Sequence, residues 1–99
     1  MQKHEETIFY LWVKTHIEHS EYKVTETDKL YRDYVTFYFE SIPQSARYTA
    51  RPMAKGNWGV KLSQMYGESF HKRIDGRMVR VRELAIRQGA PPGEFKEGR

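Results

Sequence analysis

The sequence predicts a small α+β domain, mostly helical, and three observations lead there. Apolar residues recur at helical spacing in three separate stretches between His4 and Tyr66. A single Asp75-Gly76 dipeptide then divides two runs in which apolar and basic residues alternate. Finally, 99 residues with 38% hydrophobic and 14% aromatic content are enough for one modest core, and too apolar for a disordered basic tail.

The first helix is expected from His4 to about His19. Ile8, Phe9, Trp12, His16 and Ile17 fall on one side, and Glu5 and Glu6 sit in the first turn, where the helix dipole favours acids. Tyr22-Lys23-Val24 suits a brief extended segment. Thr25 or Thr27 can cap a second helix running from about Asp28 to Phe39. Leu30, Tyr31, Tyr34, Val35, Phe37 and Tyr38 form its aromatic face, and Lys29, Arg32, Asp33 and Thr36 its wet side. Residues 41–52 read as a loop with room for one helical turn around Ser45–Tyr48.

Pro52 suits the start of a third helix, Met53 to Tyr66, because its missing N–H is no loss there. Trp58, Leu62, Met65 and Tyr66 give that helix a core face. Gly56 and Gly59 each cost about 1 kcal/mol relative to alanine, so Asn57 acting as N-cap is a second possible start. Gly67 ends it. Residues 69–82 form a β-hairpin with Ile74 facing Arg77, Lys72 facing Val79 and Phe70 facing Val81. That register puts Phe70, Ile74, Val79 and Val81 on a packing face, and His71, Arg73, Met78, Arg80 and Arg82 on the other. The expected domain is therefore 1–86, and the Gly-, Pro- and charge-rich residues 87–99 are expected to be a flexible tail.

Charge is segregated along this order. Residues 1–46 carry five Lys/Arg against eight Asp/Glu, and residues 47–99 carry twelve against five, so −3 and +7 give the overall +4. Between Arg47 and Arg82, nine basic side chains meet only Glu68 and Asp75. Self-repulsion in such a patch opposes folding, and a polyanionic partner offsets it.

Other classes find little support. Without cysteine there is no disulfide, thiolate chemistry or Cys-based zinc site, which suits a reducing compartment. No apolar run approaches the roughly 20 residues that span a bilayer, and MQKHEET is no signal peptide, so the expected location is intracellular: cytoplasm, nucleoid or nucleus. The basic stretch is broken by turns and forms no membrane-binding amphipathic helix. His16 and His19 lack a third metal ligand, and no nucleophile elbow, phosphate loop or carboxylate pair is present. No enzyme activity, metal or cofactor is expected.

Helix, short strand, helix, helix and basic hairpin is the order of a winged helix-turn-helix, whose third helix and wing share one surface. A helix fits the major groove of DNA, and a cationic hairpin reaches the neighbouring phosphates. On this reading the contacts to double-stranded DNA come from Lys55, Asn57, Lys61 and Gln64 on the third helix. His71, Lys72, Arg73, Arg77, Arg80 and Arg82 on the wing join them, with Arg47 and Arg51 on the preceding loop. Asn57 serves equally well as a cap, and Tyr48 as a phosphate contact or a core residue.

Leu30-Tyr31-x-x-Tyr34, Asn57-Trp58-Gly59-x-x-Leu62, Lys72-Arg73 and the Gly76-Arg77 turn resemble a pattern shared by two groups of DNA-binding domains. These are the regulatory-factor-X (RFX) domain and the C-terminal winged helix of viral and phage helicase-primases. The similarity spans about residues 7–84 and implies a transcription regulator or the DNA-docking module of a replication protein. The chain departs from the RFX pattern in its longer 41–52 loop, in Trp58 where phenylalanine is usual, and in a shorter wing. A protein-interaction winged helix, dimerising or docking a basic partner on its acidic first half, and structured-RNA binding are the alternative functions.

Overall fold

Residues 4–95 are described by a computed structural model. Helix α1 spans His4–His16, α2 spans Thr27–Glu40 and α3 spans Lys55–Tyr66, with a 3-10 turn at Gln44–Ala46 before α3. The strands are β1 (Ile17–His19), β2 (Thr25–Glu26), β3 (Phe70–Ile74), β4 (Arg77–Arg82) and β5 (Leu84–Ile86). Three helices are thus followed by C-terminal antiparallel strands, an order consistent with a winged-helix-like arrangement.

The helices meet around aromatic rings. Phe9, Trp12, Leu30, Tyr34, Trp58 and Leu62 are all 0% exposed. Trp12 meets Tyr34 edge-on at 5.6 Å and lies 6.0 Å from Trp58, so one ring joins all three helices. Such ring pairs add about 0.5–1.5 kcal/mol each beyond their burial. Met65, expected in this core, is 43% exposed. Tyr66, the next residue round the helix, packs against the core in its place and stacks on His19.

The hairpin forms in the expected register, Phe70↔Val81, Lys72↔Val79 and Ile74↔Arg77. Asp75 (φ 51°) and Gly76 (φ 79°) both take left-handed backbone angles, as a two-residue turn matching the strand twist requires. The short β2 pairs with the outer side of β4 through Thr25↔Arg82 and Glu26↔Val81, giving the order β2-β4-β3. On the packing face only Val81 is fully buried, and Phe70 is 39% exposed. The hairpin therefore packs at its base while its turn end stands clear of the body.

Three boundaries differ from expectation, each through a distant partner. Helix α1 stops at His16 because Ile17–His19 pairs with the unforeseen β5 (Ile17↔Ile86, His19↔Leu84). Helix α3 begins at Lys55 because both backbone groups of Met53 are engaged by α2. The Met53 N–H donates to Tyr34 Oη at 2.9 Å, and its carbonyl accepts from Tyr31 Oη at 2.7 Å. At α2 the N-cap position is Glu26, with no side-chain cap, while the Thr25 hydroxyl donates to the Leu84 carbonyl at 2.7 Å.

Residues 87–95, where the sequence suggested a flexible tail, are tied to the helices; residues 96–99 lie outside the described residues. The Arg87 N–H donates to the His16 carbonyl at 2.7 Å, and the Gly93 N–H donates to Glu40 Oε1 at 2.9 Å. The buried His16 ring lies between Asp33 Oδ2 (2.7 Å) and the Pro91 carbonyl (2.6 Å). Asp33 also accepts from Trp12 Nε1 at 2.9 Å, so it is a partner of the core rather than a wet-face residue. A Cβ at Gly93 would lie 2.3 Å from the Phe37 carbonyl oxygen and 2.5 Å from Ser41 Oγ. Gly93→Ala is therefore expected to destabilise the domain by about 1–3 kcal/mol. Urea melts and protease sensitivity after Arg87 check this; an unchanged variant would mean that the segment does not pack as described.

Candidate nucleic-acid interface

β4 ends beneath α3, and that placement shapes the site. Arg82, expected among the exposed wing cations, is 5% exposed. Its Nη1 donates to Ser63 Oγ (3.2 Å) and the Gly67 carbonyl (3.1 Å), and its Nη2 donates to the Gly59 carbonyl (3.1 Å). One guanidinium thus holds the middle and C-terminal end of α3 against the hairpin. Burial lowers its affinity for the proton, and Glu68 partly opposes that effect. An arginine nevertheless stays charged at any physiological pH.

Between α3 and the hairpin runs a groove of about 670 Å³. Gly56, Val60, Ser63 and Gln64 form its helical wall, and Ser69 and Arg80 part of the opposite one. Arg80 Nη1 is steadied by donating to Ser69 Oγ at 2.8 Å.

The remaining expected contacts fall into two groups. Lys55 and Lys61 are engaged inside the molecule. Lys55 pairs with Asp28 on α2, and Lys61 lies 3.3 Å from Glu6 and 6.0 Å above the Tyr10 ring on α1. The Lys55 ammonium holds the Asp28 carboxyl below its usual range. This contribution is present above the unfolded carboxylate value and is lost as pH falls through the lowered one. Both partners are exposed, so the pair is worth about 1 kcal/mol at most. Asn57 is exposed within the first turn of α3 and is not the cap, a position held by Ala54, and Gln64 is exposed beside the groove.

The second group is free of carboxylates. His71, Lys72, Arg73, Arg77 and Arg80 are all exposed, and none makes an ion pair among the described residues. Cross-strand pairing puts His71 opposite Arg80 on one hairpin face and Lys72 and Arg77 on the other. Arg73 Nη1 donates to the Gly76 carbonyl at 3.2 Å, which braces the turn. Arg47 and Arg51 are exposed on the 41–54 loop, each donating to a backbone carbonyl, of Phe39 and Ala50 respectively, at 3.1 Å. Tyr48 is 92% exposed, so it is no core residue.

Ser63 and Ser69 line the groove without having been singled out in the sequence, and Thr27, read there only as a helix cap, lines it too. Short hydroxyl residues between core positions carry no periodic signal. His16 has both ring nitrogens engaged, and no group of three or more potential metal ligands comes together among the described residues. No helix among them is long and apolar enough to cross a membrane. Comparison with protein-family models, with curated proteins and with solved structures finds no match.

Because Arg82 joins two elements through three hydrogen bonds, Arg82→Ala is expected to destabilise the fold by about 2–4 kcal/mol. Hydrogen exchange should show the hairpin amides losing protection before those of α2. Equal loss in both would rule out Arg82 as the local brace.

Proposed function

We propose that this chain is a winged helix-turn-helix domain that binds double-stranded DNA, with the β3–β4 hairpin as its wing. The observation that carries the proposal is the set of cations left without acidic partners among the described residues. Six of the nine basic residues between Arg47 and Arg82 remain for a polyanion: Arg47, Arg51, Lys72, Arg73, Arg77 and Arg80. Four of them belong to a hairpin that stands clear of the core, where a duplex can approach both faces.

The winged-helix reading draws on the strand order as well. β2 lies between α1 and α2 and closes onto β4, so hairpin and helices form one unit. In this arrangement the wing supplies most of the phosphate contacts, because the lysines of α3 are paired internally. α3 offers the uncharged Asn57 and Gln64, both able to read adenine edges. The resemblance to RFX domains and helicase-primase C-terminal domains points the same way, towards a regulator or a DNA-docking module.

About six phosphate contacts imply a slope of log K against log salt near −5 for duplex DNA. Fluorescence anisotropy across a salt series measures it, and a flat plot would reject the electrostatic mechanism. Charge reversal at Arg73 and Arg80 together should abolish measurable binding while leaving the melting temperature within a few degrees. Asp28→Asn makes the opposite prediction. It frees Lys55, and duplex affinity should rise about two- to five-fold with a steeper salt slope by nearly one unit. Unchanged affinity in Asp28→Asn would place Lys55 outside the contact.

A further inference from the structure

Beneath the groove between α3 and the hairpin lie three polar atoms with no hydrogen-bond partner among the described residues: Thr27 Oγ1, Trp58 Nε1 and Arg82 Nε. Their side chains are buried, at 6%, 0% and 5% exposure, and all three residues line that groove. Folded proteins leave few such groups unpaired, so three around one groove call for a cause. Two of them are N–H groups that can only donate, and the third is a hydroxyl able to donate. The fold could have satisfied an indole elsewhere, since Trp12 Nε1 donates to Asp33.

The neighbouring charge has the same sense. Every acceptor that Arg82 reaches is neutral, namely Ser63 Oγ and the Gly59 and Gly67 carbonyls. No carboxylate forms an ion pair with it among the described residues. Arg80 stands in the wall with no acidic partner either. Unused donors beside a buried cation that has Glu68 in its neighbourhood but no ion pair with it favour a ligand that brings acceptor oxygens and negative charge.

We propose that this groove binds a phosphate-type oxyanion, held by Thr27 Oγ1, Trp58 Nε1 and Arg82 Nε, with Arg80 at its edge. The oxyanion is either a backbone phosphate of the duplex or a free phosphate compound. The first source rests on the duplex-binding reading; the site itself does not. Glu68 in the same wall opposes any anion, so Glu68→Gln should tighten binding.

The two tryptophan indole N–H resonances provide the test. The full chain is titrated with inorganic phosphate at constant ionic strength, then separately with a short DNA duplex, using chloride as the control. The expected result is that the Trp58 indole resonance moves while that of Trp12 stays in place. Thr27→Val should melt at the same or a higher temperature, because it removes an unpaired hydroxyl, yet bind phosphate about ten-fold more weakly. A Trp58 response to duplex alone would support the site with nucleic acid as the source. If phosphate moves Trp58 but no duplex binds, the site stands and the duplex reading falls. If duplex perturbs the hairpin amides while neither ligand moves Trp58, the site is overturned and the duplex reading stands. An equal response to chloride, or no response to anything, also overturns the site.

Discussion

A single buried cation holds the candidate interface in shape. Without the Arg82 guanidinium, α3 and β4 would meet through few apolar contacts, since the groove side of α3 is built from Gly56, Gly59, Val60 and Ser63. Small residues let the strand come close, and the guanidinium then bridges to the Gly59 carbonyl in mid-helix and to the Gly67 carbonyl at the helix end. A leucine could fill similar volume but could not bond to the Gly67 carbonyl where α3 stops. Those three bonds tie the base of the hairpin to α3, while the pairing of β2 with β4 ties it to α2.

Charge segregation along the chain is partly undone by folding. Asp28 and Glu6, from the acidic half, reach across to Lys55 and Lys61 on α3. Glu18 similarly meets Arg87 at 3.4 Å across the β1–β5 pair. The fold thereby sorts its cations into those that orient helices and those left to solvent. The second set gathers on the hairpin and the loop before α3, which carry no acid apart from Asp75.

The parts legible in the sequence were those set by local chemistry. Asp75-Gly76 dictated both the turn and the strand register, and the aromatic periodicity of α2 marked its buried face. What escaped the sequence depended on partners far along the chain. Ile17 is buried whether it ends a helix or pairs in a strand, so hydrophobic spacing could not reveal β1. The start of α3 depends on tyrosine hydroxyls about twenty residues earlier. Alternation placed Arg82 with Arg80 on one hairpin face, correctly, but could not show that this face runs under α3 at its base. The ion pairs of Lys55 and Lys61 escaped for the same reason, as their partners are distant in sequence.

The segment after β5 bears on where the folding unit ends. A fragment cut after Ile86 would look complete by composition, yet it would strip Pro91 from the His16 imidazole and Gly93 from Glu40. It would also remove Phe95 from the hollow it shares with Tyr38, Ile42, Pro43 and Ala50. Glycine and proline there serve as a close-fitting seam: Gly93 because nothing larger fits over the end of α2, Pro91 because its carbonyl reaches a buried ring. Low-complexity composition can thus describe a stretch that is bound to the body at several points, and a shortened chain would expose the back of the helical core.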